Sequence, residues 1–299
     1  DDYFDLILSE MNDDNIMHID LRIKLGSYFR DNDRNKISIK EELDLFQKQY
    51  KKFIKLNKSF SIIATESKRK SFEKIRKTFN YLDNLSQFDD LIKGYDIVGD
   101  EKTGFRLTDY GDAMSQFNKP FYFHAGESDD RIDNIYYAVN NNTTRIAHGV
   151  HVLKDSYLLD LVIRRKIVLE ICPLSNIGLN VVKDNLIYKK LIDRGAIITI
   201  SPDDPNKMDD TNLVDNFIFL LKKGGFNFQD IFKCIENSIL YSLTNDSRKK
   251  KMMKEFENQV NFSFNFSFNR TPVTNFFRKG LYRYIIFDKI KSEFKTKIP

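Results

Sequence analysis

Two histidines and three carboxylates follow short apolar segments that are typical of buried strands. His124 and Glu127 come directly after Phe121-Tyr122-Phe123, and His148 ends the segment that begins at Arg145. Asp203 and Asp204 follow a fourth such segment, which ends in Ile200-Ser201-Pro202. Imidazole and carboxylate groups bind zinc, and groups of the same kinds can take a proton from metal-bound water or protonate a leaving group. These residue types therefore predict metal-assisted hydrolysis.

Each of these residues also has a structural explanation when it is considered alone. A histidine at a strand end commonly makes a structural hydrogen bond, and Asp203-Asp204-Pro205 is typical of a turn or a helix cap. The third strand end in this series reads Glu170-Ile171-Cys172-Pro173-Leu174-Ser175-Asn176. The occurrence of such polar groups at consecutive strand ends favours the chemical interpretation over the structural one.

The rest of the chain alternates short apolar segments with longer ones of helical period, as expected for βα units around a parallel sheet. The predicted strands are Ile16–Ile23, Phe60–Thr65, Tyr95–Val98, Phe121–His124, Arg145–His148, Val168–Cys172 and Ala196–Ser201. The predicted helices are Glu41–Leu56, Phe72–Leu85, Asp130–Val139, Tyr157–Arg165, Leu186–Asp193, Leu213–Lys223, Phe228–Leu243 and Arg248–Asn261. Tyr3–Met11 is also helical in pattern.

This pattern gives seven βα units, one fewer than a TIM-type barrel needs. Because the chain opens with a helical segment, we expect the first strand of the barrel to lie upstream of Asp1. A doubly wound sheet is the alternative architecture, but it would carry a Gly-rich turn after its first strand, and no G-x-G-x-x-G occurs. In a parallel barrel, the strand ends that bear the polar residues meet at one mouth. We therefore predict an α/β fold of the (β/α)8 barrel type.

Composition narrows the class of protein further. Basic and acidic residues number 48 and 43 and are interspersed, which does not indicate nucleic-acid binding. The densest basic run, Arg248–Lys251, is predicted to lie on the solvated face of a late helix. No apolar run approaches the roughly 18 residues that span a bilayer, so no membrane segment is predicted. Cys172 and Cys234 are compatible with one disulfide or with two free thiols.

Four motifs together resemble the adenosine deaminase family of metal-dependent amidohydrolase barrels: His-Ala-Gly-Glu, Arg-Ile-Ala-His-Gly, Cys-Pro-Leu-Ser-Asn and Asp-Asp-Pro. Within this family, the sequence is most similar to the secreted adenosine deaminase-related growth factor branch. Four further segments resemble that branch: Gly94–Glu101, Asn142–Ile146, Asn237-Ser238-Ile239 and Asp20-Leu21-Arg22. The resemblance covers residues 1–265, a catalytic barrel that is incomplete at its N-terminus. Residues 266–299 form a C-terminal tail with no predicted role.

The resemblance implies zinc-dependent hydrolysis of adenosine and 2′-deoxyadenosine to inosine and ammonia. It makes His124 and Asp203 zinc ligands, with Asp203 also holding the attacking hydroxide. Glu127 would protonate the purine N1, and His148 would orient and deprotonate the zinc-bound water. Asp204 would hydrogen bond at the N7 edge, and Gly99 would present its backbone N–H to N3, where a side chain would obstruct the approach.

The sequence departs from the family pattern at the metal site. The family has a His-x-His pair at the end of its first strand, and no His-x-His occurs in these 299 residues. Of the other histidines, we expect His18 to be structural and His151 to be exposed. Two ligands are fewer than the three that catalytic zinc sites usually have. We therefore interpret the sequence as part of a longer product rather than as a decayed relative. Ala147 and Pro202 are smaller deviations beside key residues.

Two further functions remain as alternatives. One is deamination of a phosphorylated or otherwise modified adenine nucleoside, for which no Gly-rich phosphate loop is found. The other is a non-catalytic extracellular protein, growth-factor-like or binding, that retains the barrel. Such a protein would be expected to lose the catalytic acid, base and metal ligands, whereas Glu127, His148, Asp203 and Asp204 are all present. By resemblance we expect a small-molecule substrate and an exported protein whose signal lies upstream of residue 1. The composition predicts no nucleic-acid or membrane partner, and a homodimer is compatible with the sequence.

Overall fold

The computed structural model describes residues 2–27, 29–30, 34–128, 130–204 and 212–267. Its strands are β1 (His18–Ile23), β2 (Ser59–Ser67), β3 (Ile92–Val98), β4 (His124–Ala125), β5 (Arg145–His148), β6 (Val168–Ile171) and β7 (Ile197–Ile200). All strand pairs are parallel, in the orders β1-β2-β3 and β4-β5-β6-β7. A parallel bridge between Tyr95 and Phe121 joins the two groups. The strands thus follow chain order around one curved sheet, which confirms the predicted (β/α) barrel.

Helices alternate with these strands as the sequence periodicity predicts. They are α1 (Asp2–Asp13), α2 (Ile39–Lys55), α3 (Phe72–Asp83), α4 (Ile132–Asn140), α5 (Ser156–Arg164), α6 (Pro173–Gly178), α7 (Ile187–Asp193), α8 (Leu213–Lys222), α9 (Phe228–Tyr241) and α10 (Asp246–Ser267). Capping boxes begin α2 at Ser38, α8 at Asn212 and α9 at Asn227, so side chains satisfy backbone N–H groups at these ends.

One strand and several short helices differ from the sequence prediction. The predicted strand Phe121–His124 has strand geometry only from His124, because Phe121 makes a single bridge and Tyr122 pairs with β3 through one hydrogen bond to Tyr95 (2.9 Å). Helix α6 and the 3-10 helix Leu107–Gln116 were not predicted. Both are short or irregular, so neither has the repeated apolar spacing by which sequence periodicity detects a helix.

The outer edges of β1 and β7 carry no strand partner among the described residues. The opening between β1 and β7 is the place where a further strand would complete the eight-stranded barrel predicted from the sequence. A cleft of about 2880 Å³ runs from the barrel mouth into the opening, and α1, α8, α9 and α10 contribute to its walls. A hydrogen bond connects α1 to α8 beside the opening: the carboxylate of Asp14, which follows α1, accepts the N–H of Leu213, the first residue of α8, at 3.1 Å.

Buried ion pairs cross the barrel interior and tie distant strands together. Arg22 on β1 donates to Asp96 on β3 (2.7 Å) and to Glu170 on β6 (2.5 Å). Arg145 on β5 pairs with Asp20 (2.6 Å) and with Glu170. Because buried charges are costly unless they are paired, this arrangement orients the strands without leaving a charge unpartnered. Two guanidinium groups are thus shared among three carboxylates.

The remaining sequence predictions have mixed outcomes. Cys172 and Cys234 are both buried and free, so the structure selects two thiols over one disulfide. No described helix is both long enough and apolar enough to cross a bilayer. The tail from residue 268 onward lies outside the described residues, as does Pro205 of the Asp-Asp-Pro motif.

Candidate active site

His124 is held in place by Asp96, a residue that sequence analysis did not select. The Asp96 carboxylate lies 2.6 Å from His124 Nδ1 and accepts the His124 backbone N–H at 2.9 Å. Asp96 is fully buried and ion-paired with Arg22. Burial by itself would raise the pKa of the Asp96 carboxyl, but His124 and Arg22 outweigh it and lower that pKa. With Nδ1 engaged, Nε2 is the nitrogen of His124 that is available to a metal.

Glu127 and His148 face each other across the floor of the cleft. The distance from His148 Nε2 to the Glu127 carboxylate is 3.8 Å, and the His124 and His148 rings are 5.3 Å apart between centroids. His148 is buried, and desolvation lowers the pKa of its imidazole from the ordinary value of 6.5. A histidine with a lowered pKa is neutral at pH 7 and can accept a proton.

Asp203 approaches the same point from the segment after β7. One ligand atom each from His148, Cys172 and Asp203 lies within 4.8 Å of the other two. The Ser175 hydroxyl donates to Asp203 at 2.6 Å, and the Asn176 side-chain nitrogen lies 3.1 Å from His148 Nδ1. Burial, together with the charges of Asp203 and Glu170, raises the pKa of the Cys172 thiol, which favours its protonated form.

The predicted ligands are of types that suit a zinc ion. His124 Nε2 and an Asp203 oxygen are ligand types that catalytic zinc sites use, and Asp96 completes the carboxylate–histidine arrangement found behind many zinc ligands. His148 and Glu127 remain beside this pair as proton-transfer groups. The described residues place both predicted ligands at one mouth, together with the groups predicted to act on the substrate.

Unusual backbone conformations occur at the residues that bear this chemistry. His148 and Asp203 have φ of +64° and +71°, a region that side-chain-bearing residues seldom adopt. Such strain is commonly stored at functional sites, where the surrounding structure compensates for it. Gly126, between His124 and Glu127, has φ of +71°, and a Cβ there would clash with the Ile135 side chain. The His124–Glu127 turn therefore requires glycine at this point.

Gly99 and Asp204 line the same cleft, Gly99 at the end of β3 and Asp204 after β7. Gly99 has φ of +117°, and a Cβ on this residue would have Ser67 Oγ as its nearest neighbour, at 3.9 Å, so the Gly99 Cα faces open space. A flat ligand can approach this backbone closely. All six predicted site residues thus border one cavity.

The two remaining histidines have different outcomes. His18 Nδ1 lies 2.8 Å from Ser59 Oγ and its Nε2 lies 3.0 Å from Asp20, which agrees with a structural role. The prediction that His151 is exposed is wrong, since only 7% of its surface is accessible. The 3-10 helix Val150–Lys154, which follows the left-handed Gly149, turns its ring inward.

Sequence reasoning also missed Lys68 and Glu101, which are buried behind the His124–Ser128 turn. Glu101 belongs to the Gly94–Glu101 segment that carried part of the resemblance, but nothing in its local pattern indicated burial. Its partners come from separate segments of the chain, so only the folded structure shows what it contacts.

Comparison with known proteins agrees with this geometry. The adenosine deaminase family model matches residues 6–259. Adenosine deaminase 2 of Dictyostelium discoideum is 30% identical over 260 residues, covering 81% of this chain and 48% of that protein. Human adenosine deaminase 2 is 29% identical over 274 residues, covering 85% and 53%. The chain therefore spans about half the length of these curated relatives.

Solved structures support the fold. A Burkholderia ambifaria amidohydrolase with bound zinc superposes with a TM-score of 0.72 at 16% identity, covering 87% of this chain and 73% of that one. The match of the family model across most of the chain, with the motifs gathered at one barrel mouth, leads to one assignment: the chain belongs to the adenosine deaminase family, in the branch of adenosine deaminase 2.

Proposed function

We propose that the intact protein hydrolyses adenosine and 2′-deoxyadenosine to inosine or 2′-deoxyinosine and ammonia, with zinc bound by His124 and Asp203. The observation that carries this proposal is the meeting of His124, Glu127 and His148 with Asp203 at one cleft, within a family-wide match. When bound, zinc supplies a Lewis acid that allows water to act as a nucleophile near neutral pH.

The chain's own residues would supply binding and proton transfer. The Gly99 N–H donates to purine N3, and Asp204 interacts at the N7 edge, so the base lies flat with C6 toward His148. Glu127 donates its proton to N1, which makes C6 more electrophilic. His148 accepts a proton from the attacking water; its lowered pKa, a consequence of burial, keeps it neutral for this role. A C6–O bond forms, the amino group takes the proton from His148, the C6–N bond breaks and ammonia leaves, while the hydroxyl proton at C6 returns to Glu127 as the carbonyl of the product forms.

The test uses the intact, zinc-loaded protein. Adenosine, 2′-deoxyadenosine, AMP and N6-methyl-AMP are supplied in parallel, and the products are separated by chromatography. We expect inosine and 2′-deoxyinosine as the main products. Turnover of the nucleotides alone would replace the proposed substrate class with the phosphorylated one. No product from any of the four would contradict the enzymatic function.

We also propose that the protein is exported, on the basis of its similarity to the growth-factor branch. The full reading frame would be expressed in a eukaryotic host and the protein measured in cells and medium. Retention of all of it inside the cells would contradict this proposal.

A further inference from the structure

Glu101 is a buried carboxylate that accepts hydrogen bonds from the backbone on both sides of Glu127. It follows β3, and only 2% of its surface is accessible. Its Oε1 accepts the Gly126 N–H at 3.2 Å, and its Oε2 accepts the Ser128 N–H at 2.8 Å. One side chain therefore holds the backbone N–H groups of the two residues on either side of Glu127.

The same cluster holds the start of the turn. Lys68, which follows β2 and has no accessible surface, donates from Nζ to the His124 carbonyl at 2.8 Å. Its Nζ also lies 3.5 Å from Glu101 Oε1. Asn134 on α4 donates from Nδ2 to the same Oε1 at 2.8 Å. Three backbone groups of the His124–Ser128 turn are thus hydrogen-bonded to the Lys68 and Glu101 side chains, which also form an ion pair with each other.

Burial of this charge is compensated by its partners. A carboxylate in a dry interior is costly unless it is paired and hydrogen-bonded, and Glu101 has two backbone donors, one amide donor and one ammonium group. The main chain of Glu101 is also hydrogen-bonded, because Arg131 Nε donates to the Glu101 carbonyl at 2.9 Å. Glu101 is therefore a rigid anchor rather than a group that reaches substrate.

We propose that Glu101, supported by Lys68, is the positioning residue for Glu127. It sets the distance of the Glu127 carboxyl from the purine ring, while Glu127 itself transfers the proton. This inference rests on the proposed function, because the value of accurate placement lies in the proton transfer to N1. A misplacement of about 1 Å can cost on the order of 100-fold in rate.

Glu101→Gln is the decisive variant. Glutamine has one acceptor oxygen, so it can accept from Gly126 or from Ser128 but not from both. If the oxygen takes the place of Oε1, the NH2 group faces the Ser128 N–H; if it takes the place of Oε2, the NH2 group faces the donors of Gly126, Asn134 and Lys68. We expect kcat to fall about 10- to 100-fold, with KM changed less than about threefold and zinc content unchanged.

Glu66→Gln is the matched control. Glu66 is also a buried glutamate, 3% accessible, and it pairs with Lys70 and Thr78 away from the turn. This variant should lose comparable thermal stability and keep its kcat. Equal loss of kcat in both variants would overturn the positioning role and leave only a structural one.

The double variant Glu101→Gln/Asn134→Asp separates stability from placement. In this variant, the new carboxylate on α4 can accept from the NH2 group of the new glutamine. It can still accept the Leu107 N–H, which in the parent protein bonds to Asn134 Oδ1 at 2.8 Å. Thermal stability should therefore recover in part, while one flanking amide stays unbonded and kcat stays low. Recovery of kcat in parallel with stability would contradict the proposal.

Amide hydrogen exchange gives a readout that does not depend on activity. In Glu101→Gln, exchange at whichever of the Gly126 and Ser128 amides loses its acceptor should accelerate more than exchange in β5 or β6. Unchanged exchange at these two amides would overturn the proposal, whatever the kinetics. If the parent protein deaminates no adenine nucleoside, the proposed function fails and the catalytic part of this inference fails with it, whereas the exchange result still decides whether Glu101 tethers the turn.

Discussion

The Asp96 carboxylate contacts His124 twice, at the ring Nδ1 (2.6 Å) and at the backbone N–H (2.9 Å). The two contacts fix both the position of the residue and the rotation of its ring. Because Arg22 in turn holds Asp96, a predicted zinc ligand is connected to the ion pairs that cross the barrel.

Asp96→Asn should lower zinc affinity about 10- to 100-fold, because an amide is a weaker partner for the imidazole N–H than a carboxylate. Zinc affinity would be measured by competition with a chelator of known strength in the full-length protein. Asp20→Asn is the control, since Asp20 is another carboxylate of the same ion pairs, with only 9% of its side chain accessible, and its partners are Arg145 and His18 rather than His124. Equal zinc affinity in the two variants would remove Asp96 from the metal site.

Glu127→Gln should retain zinc and lose most turnover, because the amide cannot donate the proton to N1 and no predicted ligand is altered. A general acid contributes on the order of 10²- to 10⁴-fold. The variant would be assayed with adenosine, and its zinc content measured by elemental analysis. Activity near that of the parent would exclude Glu127 as the acid.

The 299-residue chain alone should bind zinc weakly and be nearly inactive, because its described residues offer two predicted ligands and the edges of β1 and β7 are unpaired. Unpaired edges also promote aggregation. A form extended upstream by a strand that ends in His-x-His should gain zinc, solubility and activity together. Zinc per chain and adenosine loss would be measured for both forms. Stoichiometric zinc and equal turnover in the shorter form would show that His18, His151 or another residue completes the site.

Asp14→Asn should stabilise the protein at pH 7 and have little effect below about pH 4. Burial, with a smaller contribution from Asp215, raises the pKa of Asp14 to about 6 from 3.8. The folded state therefore binds the proton more tightly than the unfolded state, so the stability that the protonated group provides is lost as pH rises through about 6. The gain at pH 7 should be about 1 kcal/mol after allowance for solvent screening.

The free energy of unfolding of the Asp14→Asn variant would be measured in urea between about pH 4 and pH 8, the range that brackets the raised pKa. Asp13→Asn removes an exposed neighbouring charge that contributes to the raised pKa of Asp14, so its gain at pH 7 should have the same sign and be smaller. A stability difference that is constant across this range would mean that Asp14 does not titrate as described.

Local pattern was sufficient for most of the elements. The predicted strand Arg145–His148 coincides with β5, and α2, α3 and α8 begin or end within two residues of their predicted bounds. Apolar spacing and helix caps are properties of neighbouring residues, so they can be detected without the fold. The strand ends that carry His124, His148 and Asp203 were located in the same way, and their meeting at one mouth follows from the parallel barrel.

The sequence by itself thus determined the barrel class, the family and six residues that border one cleft. The tertiary structure alone decided how those residues are held. Glu101 and Asn134 are 33 positions apart, and Arg22 and Glu170 are 148 apart, yet each pair is bonded. The burial of His151 depends on how one short 3-10 turn packs against the barrel. Such contacts arise from the packing of whole elements, and local periodicity carries no information about which distant side chains will meet.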